Sequence, residues 1–541
     1  MSIYAPEYDE LYVVSDLHLG GYDGAFVNQS TGEEETRDYR IFRCADALAW
    51  LFEEIRLRAR SDGAGKIALV LNGDIVDFLA MKDACYFNTD GAPKRLREII
   101  EDPKQGKVWS ALQSFVKEDV ADLVMVLGNH DVELGLPEVR NYLESYLTDD
   151  NPSARARIVF SMEGEGFRCD VGKSRVLCVH GNEVDLWNIV DHGQIARIGR
   201  AKNQDRTPPA WPTNAGTTLV IDVMNEIKKR FQWIDLLKPE KEAATYILAA
   251  LDKRLVNKLE HISEIARRAG RDYMKREAGF LSVDESALNK DAGPNDEEKA
   301  HLDRLYAAAE LSGRDDSEAV DAILDEALDN LADKKEPVDL LDAGDETLGI
   351  RDAFSAVAGF VKTAVGYKDA MSSTEGLRQV LQENLAWDTS YSPTSPDDTF
   401  KDLDELVGPG IDFLVAGHTH FEKVLDRTSS RGYYFNSGSW ITLMKLPLEL
   451  LDNKELFTDR LLGVLEDGSI EKLENPEIEI DDRPVELVHN IRTVVRIAKL
   501  ESGGTQGCLM RVQERAAGEE DAEGGFEFSW DSSTKRTVDW R

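Results

Sequence analysis

Five short clusters in this 541-residue chain combine carboxylate, imidazole and carboxamide side chains at close spacing: Asp16-Leu17-His18, Gly73-Asp74-Ile75-Val76-Asp77, Gly128-Asn129-His130-Asp131, His180-Gly181 and Gly417-His418-Thr419-His420. Carboxylate oxygen together with imidazole nitrogen suits borderline divalent ions such as Mn²⁺, Fe²⁺ and Zn²⁺, whereas all-oxygen sets suit Mg²⁺ and Ca²⁺. Alternate residues leaving a strand point the same way, so the Asp16/His18 and His418/His420 pairs are each expected to converge on one point. Glycines beside Asp74, Asn129, His180 and His418 allow sharp turns and close backbone approach. Only nine histidines occur, and five of them fall in these clusters. Of the rest, His261, His301 and His489 read as surface or core residues, and His192 stays open. Asp77 has two readings, support of a ligand or a loop hydrogen bond.

Each cluster directly follows an apolar segment. The strand Leu11 to Ser15, a helical pattern through Ala45, Leu48, Leu51, Phe52, Ile55 and Leu57, the strand Lys66 to Leu71, a helix around Trp109 to Val116 and the strand Leu123 to Leu127 form a βαβαβ opening. In open sheets of this kind ligands gather beyond the carboxyl ends of the strands. Gly166 to Val171 and Arg175 to His180 then read as a hairpin. Strands follow at Phe413 to Ala416 and Tyr433 to Asn436, and a second hairpin is expected between Leu461 to Leu465 and Ile470 to Leu473, turning on Asp467-Gly468.

Between the two sets of strands lies a helical insertion. Ala244, Ile247, Leu248, Leu251, Leu255, Leu259 and Ile262 keep the 3.6-residue period of one long amphipathic helix. Residues 181–282 hold 17 Lys/Arg against 14 Asp/Glu (net +3), and residues 283–347 hold 6 against 21 (net −15). The acidic half reads as solvated helix or linker. The last ~60 residues mix apolar runs such as Thr493 to Ala498 with Gly and Glu, which suggests a strand-rich appendage.

The whole chain carries 64 basic and 102 acidic residues, a net charge of −38, which argues against nucleic-acid binding through general basicity. No apolar run approaches the ~20 residues of a membrane span, and the N-terminus lacks the cationic and apolar regions of a signal peptide. Five cysteines without CxxC spacing read as reduced thiols, Cys169 and Cys178 included, and a cytoplasmic location is expected.

Taken together and in order, the five motifs resemble the signature of the calcineurin-like metallophosphoesterase superfamily. The resemblance implies a four-layer α/β/β/α sandwich whose discontinuous core spans 1–182 and 405–480. The insertion at 183–404 would be a lid or partner surface, and 481–541 the C-terminal appendage. It further implies a dinuclear centre in which Asp16, His18 and His420 hold one ion, Asn129, His180 and His418 the other, and Asp74 bridges them. His130 resembles the catalytic histidine, with Asp131 placed to orient its ring, and two divalent ions, Mn²⁺ foremost, are the implied cofactors. Leu127 before Gly128, Asp131 in place of Glu and Phe78 in place of Arg depart from the protein serine/threonine phosphatases. Asp77 stands where purple acid phosphatases carry a metal-binding tyrosine. Ser15-Asp16-Leu17-His18-Leu19-Gly20 is nearest in style to the UDP-2,3-diacylglucosamine pyrophosphatase-like branch, from which the long insertion departs.

Three functional readings follow. The first is hydrolysis of a phosphodiester or pyrophosphate in a nucleotide-containing small molecule, with Arg197 and Arg200 of the insertion as substrate contacts. The second is a nuclease for single-stranded nucleic acid, using Arg197, Arg200, Lys202, Lys228, Lys229 and Arg230 with Trp187, Trp211 and Trp233 as stacking platforms. The third is a non-catalytic scaffold that uses the same fold, with the insertion as its protein-binding surface.

Overall fold

A computed structural model describes residues 5–27, 34–118, 120–237, 374–385, 390–515 and 525–539. The chain forms two compact units, Met1–Glu240 with Leu385–Arg541, and Lys241–Asn384. In the second unit the described element is the helix Thr374–Leu385, at its C-terminal end. The expected amphipathic helix at 244–262 and the acidic stretch 283–347 lie outside the described residues.

In the first unit two sheets face each other. One has the strand order β12-β11-β10-β1-β2-β3-β4: β1 (Glu10–Val14), β2 (Ile67–Asn72), β3 (Ala121–Val126) and β4 (Ile158–Ser161) are parallel, and β10 (Thr493–Lys499), β11 (Thr505–Glu514) and β12 (Phe526–Trp530) continue it antiparallel. The other contains Glu7–Tyr8, β5 (Phe167–Val171), β6 (Ser174–Cys178), β7 (Phe413–Ala416), β9 (Tyr433–Ser437) and β8 (Glu422–Asp426), in that spatial order. Strand alternation separates two cores. Leu11, Val13, Ala68, Val70, Val124 and Val126 face Cys169, Val176, Phe413, Val415 and Phe435 between the sheets. Tyr12, Val14, Leu69, Leu71, Leu123 and Met125 face the helices α1 (Ala45–Arg60), α2 (Gly106–Lys117) and α3 (Pro137–Thr148). Because both faces of β1 and β2 are covered, these strands are apolar almost throughout. On the far side of the second sheet, Phe400 and Leu403 of α5 (Asp398–Leu406) pack on Leu414, Ala416 and Tyr434. The result is a four-layer α/β/β/α arrangement with a strand-rich C-terminal region.

One expectation sharpens and another changes. The strand-rich C-terminal region joins the first sheet, where β10 pairs with β1 from Val495↔Val13 to Ala498↔Glu10 and buries Val495 and Ile497 between the sheets. The hairpin expected around Asp467-Gly468 is helical, with helices at Leu462–Asp467 and Ile470–Glu474. Gly468 adopts φ 81° as the left-handed C-cap of the first helix, and the Ser469 side chain accepts from the Lys472 N–H as N-cap of the second. An Asp-Gly pair followed by Ser therefore ends one helix and starts another, and the flanking leucines are buried at helical spacing.

The first part of the insertion belongs to the first unit. There α4 (His192–Asn203) sets Ile195 and Ile198 in the main core, and Asn225 Nδ2 donates to the Leu79 carbonyl over 3.0 Å. All five cysteines are free. No helix among the described residues is long and apolar enough to cross a membrane.

Candidate active site

Three parallel strands of one sheet and two of the other deliver the motifs: β1 ends two residues before Asp16, β2 two before Asp74, β3 three before Asn129, β6 two before His180 and β7 two before His418. Their loops bond one another. The Asp16 N–H donates to Gly73 O (3.2 Å), the His18 N–H to Asp74 O (2.9 Å), the Phe78 N–H to His130 O (3.2 Å) and the Gly417 N–H to His180 O (2.8 Å). A Cβ on Gly73, whose φ is 84°, would lie 2.3 Å from His180 Nδ1, so only glycine lets the β2 loop pass that ring.

The convergence of the paired ligands has a different origin from strand alternation. Asp16, His18, Asp74, His418 and His420 all lie past their strand ends with φ between 46° and 70°, in the left-handed region. Each such residue costs free energy and persists only where its surroundings over-determine it. Asp149, Asp150, Asp481 and Asp482 also have positive φ, but they belong to none of the candidate metal-holding groups.

The side chains form three groups whose ligand atoms lie within 4.8 Å of one another: Asp16, His18 and His420; His18, Asp74 and His130; and Asp74, His180 and His418. Asp74 Oδ2 is 3.2 Å from His180 Nε2 and 3.7 Å from His18 Nε2, while Oδ1 accepts the His130 N–H over 2.8 Å. His18 Nε2 faces His420 Nε2 at 3.3 Å, and His420 Nε2 lies 3.4 Å from Asp16 Oδ1. The opposite ring nitrogens are occupied. His18 Nδ1 donates to Asp77 Oδ2 (3.0 Å) and His180 Nδ1 to Asn72 O (2.8 Å), which turns each Nε2 lone pair inward.

These residues fit a divalent ion. Asn129 Oδ1 and His180 Nε2 are buried with no hydrogen-bond partner, an expensive state unless an ion takes their lone pairs. The electrostatics point the same way. Burial opposes charge on Asp16, yet His420 holds its carboxyl down at about 2; burial also opposes charge on His180, yet Asp74 and Asp16 push it up to about 10. The cluster therefore demands positive charge.

The structure corrects the role expected for Asp131. Its Oδ2 accepts the Ile75 N–H and its Oδ1 the Gly128 N–H, both over 2.7 Å, so it ties two motif loops together and leaves the His130 ring to another group. Burial and then Asp74 push the Asp131 carboxyl up to about 7. Asp77 faces the His130 ring instead, with Oδ2 at 3.3 Å from Nδ1, while its Oδ1 accepts from the Leu79 and Ala80 N–H groups. One side chain thus makes the loop hydrogen bonds and also contacts the candidate ligand His18. Despite full burial, His130 and His18 hold its carboxyl well below the usual range.

Arg197 and Arg200 lie exposed on α4, where Arg197 donates to Gln194 Oε1 over 3.0 Å. His192 Nδ1 bonds Met162 O (3.2 Å), away from those groups. Two residues went unnoticed in the sequence. Glu183 accepts from the Gly181 N–H (2.6 Å), and Asp185 Oδ2 accepts from His418 Nε2 (2.9 Å); a carboxylate two and four residues after a His-Gly turn was the available signal.

No curated protein matches the chain. Residues 10–241 match the family model of the calcineurin-like phosphoesterases, a span that includes four of the five motifs, and β7 brings the fifth beside them. Residues 10–241 thus carry a calcineurin-like phosphoesterase domain, and that family implies a metal-dependent phosphoric ester hydrolase.

Proposed function

We propose that the protein hydrolyses a phosphodiester or pyrophosphate bond in a nucleotide-containing small molecule at a dinuclear centre. The observation that carries this reading is the sharing of Asp74 between donor groups on either side of it. Asp16, His18 and His420 would hold one ion and Asn129, His180 and His418 the other, with Asp74 between them. When bound, two such ions, Mn²⁺ foremost and Fe²⁺ or Zn²⁺ as alternatives, supply a water of lowered pKa and positive charge at the phosphoryl oxygens.

The chain's own residues account for the rest. With Nδ1 toward Asp77, the His130 ring presents Nε2 outward, and its side chain is 21% exposed against 10% for His418 and His420, with the other candidate ligands buried. It can therefore approach a substrate, neutralise charge on the phosphoryl group and give a proton to the leaving oxygen. Asp77 orients that ring through Nδ1. Asp131 holds the loop that carries it.

Small-molecule chemistry is favoured over nucleic acid because the features that suggested a strand-binding groove are otherwise engaged. Trp187 and Trp233 are buried, and Trp211 stacks on Phe87 with centroids 4.5 Å apart. Lys202 pairs with Glu138 and Asp90, Lys228 with Asp235 and Lys229 with Glu226. The test is a panel assayed with Mn²⁺: bis-(p-nitrophenyl) phosphate, its monoester, UDP-linked pyrophosphates, cyclic nucleotides and single-stranded DNA. Turnover of diesters or UDP-linked pyrophosphates above the monoester and DNA is expected. Preferential cleavage of DNA would restore the nuclease reading, and no turnover with two ions bound would favour a scaffold.

A further inference from the structure

The segment Glu183–Asn188, at the start of the insertion, reaches across to the loop after β7. Asp185 Oδ2 accepts from His418 Nε2 over 2.9 Å, in a contact whose side chains are 19% and 10% exposed. The same oxygen accepts from Asn188 Nδ2 (2.7 Å), and Oδ1 accepts from the Trp187 N–H (3.0 Å). A carboxylate held by its own turn is a fixed acceptor, and it fixes the proton of His418 on Nε2. Only Nδ1 is then left to face Asp74 and His180.

The turn is itself clamped from further along the insertion. Asn182 Nδ2 donates to Asn188 O (3.0 Å), and the Gly216 N–H donates to Trp187 O (2.7 Å). A Cβ on Gly216 would lie 1.9 Å from Asn188 Oδ1, so the helix that starts after Asn214 closes directly on the turn. We infer that Asp185 is a positioning residue for His418, and that the inserted segment thereby sets how tightly one of the two ions is held. Without Asp185 the imidazole can take the other tautomer or rotate, and the group made with Asp74 and His180 loses a donor, whereas the group of Asp16, His18 and His420 does not involve it.

This rests on the dinuclear reading above, and metal binding tests both separately. The full chain and its variants are loaded with Mn²⁺, bound metal is counted by mass spectrometry, and affinity is measured by competition with a chromogenic chelator. Wild type should bind two ions; fewer would overturn the dinuclear reading itself. Asp185→Ala should weaken one of them by roughly 10–100-fold, as expected on losing a carboxylate behind a histidine ligand, and leave the other unchanged. Asp185→Asn, whose amide oxygen still accepts from Nε2–H, should recover part of that loss. Two ions at wild-type affinity in Asp185→Ala, equal weakening of both, or an Asp185→Asn variant no better than alanine would each overturn the positioning role. Gly216→Ala, which displaces Asn188 without touching any ligand, should weaken the same ion by a smaller factor and serves where Asp185→Ala fails to fold; unchanged affinity in it would overturn the link to the insertion.

Discussion

Two buried charge clusters in this molecule are built to opposite ends. At the end of β8, Arg427 and Asp404 form an ion pair whose side chains are 0% and 2% exposed. Asp404 accepts from Arg427 Nε (2.7 Å), from Thr428 N and Oγ1, and from Ser429 N and Oγ. The remaining guanidinium donors reach the carbonyls of Asp404, Val407, Gly408 and Ile411. That cluster is closed, and none of its residues has left-handed backbone. Around Asp74, by contrast, Asn129 Oδ1 and His180 Nε2 have no hydrogen-bond partner and five of the candidate ligands adopt left-handed backbone. A closed cluster contributes by satisfying its own charges, whereas an open one is completed by something else. Buried charge alone does not mark a functional site; unsatisfied and strained buried charge does.

The comparison breaks most sharply at Asp74. Asp74→Ala should abolish hydrolysis and lower the bound metal while the circular dichroism spectrum stays native, because the two hydrophobic cores do not involve it. Unchanged turnover would mean that the open cluster is not where chemistry occurs. His130→Ala should keep both ions and lose turnover by roughly 10²–10⁴-fold, the range for a lost proton-transfer group. Metal analysis alongside kinetics decides this, since a defect explained wholly by metal loss would make His130 a ligand.

Arg427→Ala inverts the pattern. It should cost about 3–5 kcal/mol in urea unfolding, because Asp404 is left buried and uncompensated, and leave kcat of the folded protein unchanged. A loss of activity without a loss of stability would erase the distinction between the clusters. The smallest effect is expected at Glu133, just beyond His130. Burial pushes its carboxyl up to about 8, and its Oε2 has no partner while Oε1 accepts from the Asn88 N–H (3.0 Å). A raised folded-state value means that its contribution is fully present below about pH 4.5, the usual glutamate range, and is lost as pH rises through about 8. Glu133→Gln should therefore match wild type near pH 4 and exceed it at pH 9, by on the order of 1–3 kcal/mol. Parallel stability profiles across that range would show the carboxyl to be better solvated than its burial implies.

How much of this was legible beforehand differs by element. The parallel strands before each motif, α1 and α2 were readable because buried strands are continuously apolar and helices keep a 3.6-residue period. The hairpin misread at Asp467-Gly468 was not, since the same dipeptide serves as a tight turn or as a helix C-cap, and only burial of Leu461, Val464 and Leu465 on one helical face decides between them.

By itself the sequence determined which residue types stand at the strand ends, and hence the donor chemistry of Asp16, His18, Asp74, Asn129, His180, His418 and His420. Those follow from local composition and order. Tertiary structure alone decided that Asp77 rather than Asp131 faces His130, that Asp185 stands behind His418, that β10 completes the first sheet, and that the Asp-x-His and His-x-His pairs converge through left-handed backbone. Each of these depends on contacts between segments distant in the chain, 53 residues apart for Asp77 and His130 and 233 for Asp185 and His418, where neither periodicity nor spacing carries a signal.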